Sequence, residues 1–196
     1  MPLKSGLDLL LVLLYAGNQA EVVGVTRLVK LLFLLVKEGG FERFEGEYGF
    51  EAYNYGPWSS KLFDYLEVVD ELGLIRVEEK PFENSVEVAD DFVAREASEV
   101  PDLAQKMVKV FSLTDKGVRV GRVLSERLSE SEKRSVERIK RVFNNMRLDR
   151  LLDYVYKKYP SYAARSRVKG ELPPLTMFGT SPDLSKFVRE EDDFRE

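Results

Sequence analysis

The chain has 196 residues, of which 44% are hydrophobic and 33% are charged, and its net charge at pH 7 is −4. This length and composition predict one domain with a hydrophobic core of its own. The sequence contains no cysteine and no histidine, which excludes disulfides, thiolate or histidine catalysis and almost every transition-metal site. An enzyme would be left with carboxylate, lysine or tyrosine chemistry, and with magnesium on oxygen ligands as its metal. We expect no cofactor.

The acidic and basic residues are separated along the chain. Positions 38–99 carry 17 acidic and 5 basic residues, whereas positions 133–169 carry 12 basic and 3 acidic residues. The basic part can meet phosphates or an acidic protein. It can equally neutralise the acidic part, either within one chain or between two chains.

The N-terminal apolar stretch is too short to cross a membrane. Its longest apolar run, residues 9–15, falls below the roughly 20 residues that span a bilayer, and Asp8 interrupts the stretch. We therefore expect a buried helix in a cytoplasmic protein that has no membrane contact.

The N-terminal part of the chain predicts two helices followed by an extended segment. Ser5 is expected to cap a first helix over 5–16, and Thr26 to cap a second helix that ends at Gly39. From residue 41 to residue 55 the pattern changes towards a period of two, which favours a strand or an extended arm.

Gly56-Pro57 predicts a turn that leads into a third helix at Pro57 to Ser59, because proline suits the first helical turn. The apolar stripe of this helix is expected to face the core, and Gly73 ends it. The stripe consists of Leu62, Leu66, Val69 and Leu72. The remaining predicted elements are strands over 74–79, 85–88 and 110–113, an acidic connection over 90–102, and helices from Thr114 towards Leu128, over 130–145 and over 147–159.

This order of elements is similar to that of winged-helix domains, in which a pair of strands forms a wing behind a helix-turn-helix. The predicted fold class is α+β and mainly helical, with an N-terminal helical pair, a winged-helix-like centre with a small antiparallel sheet, and C-terminal helices. We expect a winged-helix-like domain over 1–128, basic C-terminal helices packed on it over 129–170, and a loose tail over 171–196.

Two motifs follow one another in the N-terminal part. TRL and KLLF lie within residues 26–33, and FEAYNYGP occupies residues 50–57. Together they resemble the Panacea domain of antitoxin-type proteins and the related YwgA-like group, over residues 5–75. The resemblance implies a non-enzymatic regulatory protein that acts by binding a protein partner directly, such as a toxin or a regulatory target. Trp58 departs from the family pattern, which has an aliphatic residue there.

Three large aromatic residues gather around Gly-Pro, and two interpretations of them remain open. Aromatic residues on strands mostly serve packing, here over the first two helices. Tyrosine and tryptophan also anchor protein interfaces, and one ring can do both. The candidate partner-binding residues are Tyr53, Tyr55, Trp58 and Lys61. A homodimer is a further option.

The helix over 130–145 carries an arginine stripe opposite its apolar face. The stripe is either a solvated surface with local pairs to Glu130 and Glu137 or a patch for nucleic acid or an acidic partner. The candidate patch consists of Arg134, Arg138, Arg141, Lys157 and Lys158. The alternative function is therefore a winged-helix transcriptional regulator that binds nucleic acid. The acidic residues of the third helix count against its insertion into a major groove.

One short pattern in the sequence resembles part of a catalytic site. Glu78 and Lys80 match half of a metal-dependent nuclease site, which needs a second carboxylate on a neighbouring strand. The nearest upstream candidate, Asp70, falls in the third helix. We therefore expect no enzyme, no catalytic residue and no metal ligand.

Overall fold

The computed structural model describes residues 2–81 and 107–166. The protein is mainly helical and has a small antiparallel sheet, as the sequence predicts. The predicted strand over 85–88, the acidic connection over 90–102 and the tail over 171–196 lie outside the described residues. In chain order the elements are α1 (Gly6–Gln19), β1 (Val22–Val23), α2 (Val25–Glu38), a 3₁₀ turn (Glu42–Phe44), α3 (Glu45–Tyr48), β2 (Glu51–Tyr53), β3 (Gly56–Trp58), α4 (Ser60–Glu71), β4 (Ile75–Pro81), β5 (Met107–Leu113), α5 (Asp115–Ser125), α6 (Glu130–Asn144) and α7 (Leu148–Lys158).

The small sheet has three antiparallel strands. Its strand order is β1-β5-β4, and both pairings are antiparallel. Val22 lies opposite Phe111, and Ile75 lies opposite Leu113. The short strand between the first two helices thus completes a sheet whose other two strands follow α4.

The first two helices form the centre of the core because they are apolar on nearly every face. Residues 9–14 of α1 and 28–36 of α2 are buried, including Lys30. α6 packs against both α1 and α2, and α7 packs against α2 and β3. A single hydrophobic cluster extends from Leu3 to Ala163, so the basic C-terminal helices share the core of the preceding elements.

The predicted cap of α2 is wrong by two residues. Gly24 is the N-cap, and Thr26 is 5% exposed inside the first helical turn. The carbonyl of Gly24 accepts the N–H of Leu28 at 3.1 Å. Gly24 also has a φ of +89°, a backbone conformation that glycine adopts without the steric cost of a side chain.

The extended segment predicted over 41–55 is also wrong in its first half. The chain there forms the 3₁₀ turn and α3, and only Glu51–Tyr53 forms a strand. Phe41, Phe44 and Tyr48 are all buried, and their spacing of three and four residues is that of a helical face. The period-two alternation of side chains on which the strand prediction depends covers only the last part of the segment.

The Gly-Pro pair lies in a strand and not in a turn. Tyr53 lies opposite Gly56, so the two-residue hairpin loop is Asn54-Tyr55. Gly56 has a φ of +88°, and a Cβ built on it would lie 2.7 Å from Cε1 of Tyr156, which leaves room for glycine alone. α4 begins after Pro57, with Ser59 as its N-cap. Leu72 follows the end of α4 as its C-cap and is 50% exposed, so it does not belong to the core stripe.

Candidate functional site

Three aromatic rings form a continuous surface beside the hairpin of β2 and β3. The ring centroids of Tyr53 and Trp58 are 5.6 Å apart, and those of Trp58 and Phe63 are 4.7 Å apart. Tyr53 is 48% exposed, whereas Trp58 and Phe63 are half-buried. Trp58 also packs against the hydrophobic core. We call Tyr53, Trp58 and Phe63 the aromatic trio.

The hairpin that carries Tyr53 and Trp58 is attached to the core by hydrogen bonds. Lys30 of α2 is fully buried, and its Nζ donates a hydrogen bond of 2.9 Å to the carbonyl of Pro57. Burial lowers the pKa of Lys30 to about 7. Ser59 Oγ donates to the carbonyl of Tyr48 at 2.6 Å and accepts the N–H of Leu62 at 3.2 Å. These contacts fix the position of Trp58 relative to α4.

The four predicted partner-binding residues do not form one surface. Tyr53 and Trp58 are in contact, but Tyr55 is half-buried and packs against the core. Lys61 is exposed, and its Nζ lies 3.1 Å from Oδ2 of Asp64. Residues two apart on a helix point away from each other, so Lys61 and Phe63 lie on different sides of α4.

The sequence interpretation missed Phe63. The signal for it was present, because Phe63 lies outside the predicted core stripe of its helix and yet is large and apolar. A residue of this kind next to Leu62, which is completely buried, marks a helix with apolar surface on two sides. The hairpin that brings Trp58 onto this second side could not be predicted from the spacing.

The outer face of α4 carries carboxylates beside the trio. Asp64, Glu67 and Glu71 are exposed and share one helical face through their spacing of three and four residues. We call these three residues the acidic row. Asp64 pairs with Lys61, and within residues 2–81 and 107–166 neither Glu67 nor Glu71 forms an ion pair. α4 has no basic residue in its own last turn, and Lys116 of α5 supplies a cation at this end of the helix dipole, because its Nζ donates a hydrogen bond of 2.7 Å to the carbonyl of Leu72.

The arginine stripe of the predicted patch lies on the outside of α6. Arg134 and Arg141 are exposed and Arg138 is half-buried, whereas Val136 and Ile139 on the opposite face are buried. We call Arg134, Arg138 and Arg141 the arginine row. No ion pair joins any of the three to another residue in the described part of the chain. The use of the row as a binding patch stays a prediction.

The two lysines of the predicted patch differ from the arginines because they have carboxylate partners. Lys157 Nζ lies 2.8 Å from Oδ2 of Asp153, and Lys158 Nζ lies 2.9 Å from Oε2 of Glu38. Glu38 also accepts hydrogen bonds from the hydroxyl groups of Tyr154 and Tyr159, both at 2.9 Å. Lys158 therefore belongs to a cluster that ties α7 to the end of α2.

Two further buried cations cap helix ends, and the sequence interpretation missed this role. Arg27 donates from one terminal guanidinium nitrogen to the carbonyls of Phe143, Asn144 and Met146 at 3.0, 3.1 and 2.6 Å. Lys140 donates to the carbonyl of Leu13 at 3.3 Å, one turn before the kink where the backbone of residues 16–18 leaves the helical conformation of α1. Burial lowers the pKa of Lys140 to about 7. Arg27 and Lys30, which stand in the KLLF-type motif region, thus have structural partners.

Lys80 of the nuclease-like pattern forms ion pairs with two carboxylates. Lys80 Nζ lies 3.1 Å from Oε2 of Glu21 and 3.4 Å from Oε2 of Glu78. No group of three or more potential metal ligands occurs within the described residues. In the same part of the chain, no helix combines the length and the apolar character needed to cross a membrane.

No protein-family model matches the chain, and no curated protein or solved structure is significantly similar to it. The resemblance of residues 5–75 to the Panacea domain therefore stays a prediction. A functional assignment depends on the two surfaces described above. One consists of the aromatic trio together with the acidic row, and the other is the arginine row.

Proposed function

We propose that this protein is a non-enzymatic regulatory module that binds a protein partner through the aromatic trio. The observation that carries the proposal is the exposure of Tyr53, which is 48% accessible at the end of a row of three aromatic rings in contact. Tyrosine and tryptophan supply much of the binding energy at protein interfaces because they bury a large area and lose few rotamers. The partner that we propose is a toxin or a regulatory target, as the Panacea resemblance implies.

The attachment of the hairpin supports this proposal. Lys30 and Ser59 hold the backbone on either side of Trp58, through the carbonyls of Pro57 and Tyr48. A surface that is already ordered before binding loses less conformational entropy on association. The trio is therefore suited to rigid docking of a folded partner.

The test is capture of a partner by the purified protein from a nuclease-treated lysate of the source organism. A double variant, Tyr53→Ala with Phe63→Ala, should lose the captured protein, because it removes two of the three rings and leaves Trp58 as a core contact. Val123→Ala is the matched control, since Val123 of α5 is 50% exposed outside the trio. Equal capture by the wild type, the double variant and the control would contradict the proposal.

The alternative, a winged-helix regulator that binds nucleic acid, is favoured by one observation. The arginine row has no ion-pair partner within the described residues, and such rows bind phosphates. Against it, α4, which such a regulator would use to contact the phosphates, presents Glu67 and Glu71 to the solvent. A titration with duplex DNA at several salt concentrations distinguishes the two functions. Tight binding at physiological salt that is lost in Arg134→Ser, Arg138→Ser, Arg141→Ser would favour the alternative.

A further inference from the structure

The acidic row of α4 and the arginine row of α6 match each other in length and spacing. Asp64, Glu67 and Glu71 stand at positions i, i+3 and i+7, and the three arginines stand at i, i+4 and i+7. Each row therefore occupies a single helical face. At a rise of 1.5 Å per residue, each row extends over about 10 Å.

The fold does not bring the two rows together within one chain. No ion pair joins any carboxylate of the acidic row to any arginine of the arginine row. Among residues 2–81 and 107–166, the single ion pair that either row makes joins Asp64 to Lys61. It is exposed on both sides, and such surface pairs contribute little to stability. Arg134 also acts electrostatically on Glu130, whose pKa it helps to lower, but within the described residues the other members of both rows have no ion-pair partner.

We propose that the protein self-associates head to tail, with the acidic row of one copy on the arginine row of a second copy. The contact is heterologous, because each copy contributes a different surface to it. It leaves one row available at each end of a dimer, so that association continues into longer chains unless a ring closes. Arginine also stacks on aromatic rings, and Phe63 lies one helical turn before Glu67 on the same side of α4.

The chemistry of the rows determines how strong the contact is. Exposed ion pairs are weakened by salt, because the distance over which exposed charges interact falls from about 10 Å at 0.1 M ionic strength to about 3 Å at 1 M. We therefore expect association at low ionic strength that declines as salt is added. The interaction goes beyond the proposed function and shares only Phe63 with it, since neither Tyr53 nor Trp58 lies in or beside the two rows.

The decisive experiment is sedimentation velocity on the full chain over a range of protein concentrations, at low and at high salt. One variant reverses the acidic row (Asp64→Lys, Glu67→Lys, Glu71→Lys), and the other reverses the arginine row (Arg134→Glu, Arg138→Glu, Arg141→Glu). The wild type should sediment faster with increasing concentration at low salt, and each variant alone should stay monomeric because its two rows then repel. An equimolar mixture of the variants should associate again, since each reversed row complements a row of the other variant.

A charge-matched control separates the rows from net charge. The variant Glu42→Lys, Glu79→Lys, Glu126→Lys changes the net charge as much as reversal of the acidic row, at three exposed positions outside it. It should self-associate as the wild type does. Circular dichroism of every variant establishes that the helices are intact.

Several outcomes would overturn the proposal. They are a wild type that stays monomeric at low salt, a reversed variant that associates as the wild type does, and a mixture that does not associate. Binding of duplex DNA by a monomeric wild type, lost on reversal of the arginine row, would assign that row to nucleic acid instead. The acidic-row variant keeps the aromatic trio. Failure of self-association would therefore not contradict partner capture through Tyr53 and Phe63, which is tested separately.

Discussion

α2 and α4 use their polar side chains in opposite ways. α2 is buried from Thr26 to Val36, and the two cations in that stretch, Arg27 and Lys30, lie inside the protein. α4 completely buries only Leu62 and Val69 and presents its carboxylates to the solvent. Arg27 and Lys30 of α2 bind main-chain carbonyls, whereas the acidic row on the outer face of α4 has few partners within the described residues.

This difference indicates where function and stability lie. A buried cation that caps a helix end or a strand contributes to stability, because its loss leaves carbonyls without a donor. A helix that exposes aromatic and acidic side chains can change in sequence without unfolding the protein. Substitutions in α2 should therefore act on folding, and substitutions on the outer face of α4 should act on binding.

The largest effect is expected from Arg27→Met, which tests the structural role of α2. The change removes the donor for the carbonyls of Phe143, Asn144 and Met146 at the end of α6. We expect the free energy of unfolding to fall by about 3 kcal/mol, since hydrogen bonds from a charged group are strong and the carbonyls become unpaired. Guanidinium denaturation measures it. Arg27→Lys should recover part of the lost free energy of unfolding. An unchanged denaturation midpoint in Arg27→Met would contradict the structural role of Arg27.

The second prediction concerns the pH dependence that the buried lysines impose on stability. Burial lowers the pKa of Lys30 and of Lys140 from 10.5 to about 7. Between these values the unfolded chain binds a proton that the folded chain does not, so the free energy of unfolding rises with pH. The slope is about 1.4 kcal/mol per pH unit for each lysine, and the contribution is constant below the folded pKa.

Lys30→Met and Lys140→Met should each reduce this slope. Chemical denaturation at several pH values above neutrality, at pH values where tyrosine is not yet ionised, measures it. The upper limit matters because burial also raises the pKa of Tyr65 and Tyr156, each to about 12, and tyrosines of this kind lower stability at alkaline pH. Parallel profiles for the wild type and both variants would mean that the two lysines are charged in the folded protein.

Much of the fold could be predicted because its signals are local. Ser5 and Thr114 accept N–H groups of the following helical turns, as their positions before apolar repeats indicate. The strand before Thr114 and the helices after residue 129 lie within a few residues of their predicted limits. The arginine row followed from helical periodicity alone.

The rest depends on contacts between distant residues. The carbonyls that Arg27 binds lie 116 to 119 positions later in the chain, so no local pattern identifies Arg27 as a helix cap. A cation in a helical repeat suggests a solvated side chain, and only the packing of α6 on α2 reverses that interpretation. The place of Gly56 in a strand likewise depends on Tyr156, which closes the space that a Cβ would need.

The smallest effect is expected for Phe63→Ala, which contrasts two neighbours on α4. Leu62 is completely buried, and its replacement by alanine should cost about 2–5 kcal/mol. Phe63 is half-buried and stacks on Trp58 at 4.7 Å, so its replacement should cost less, about 1–2 kcal/mol, since an aromatic pair contributes about 0.5–1.5 kcal/mol beyond the area that it buries. Urea denaturation of both variants measures the contrast. A loss at Phe63 as large as that at Leu62 would place Phe63 in the core, and reduced partner capture by its variants would then reflect unfolding and not a lost contact.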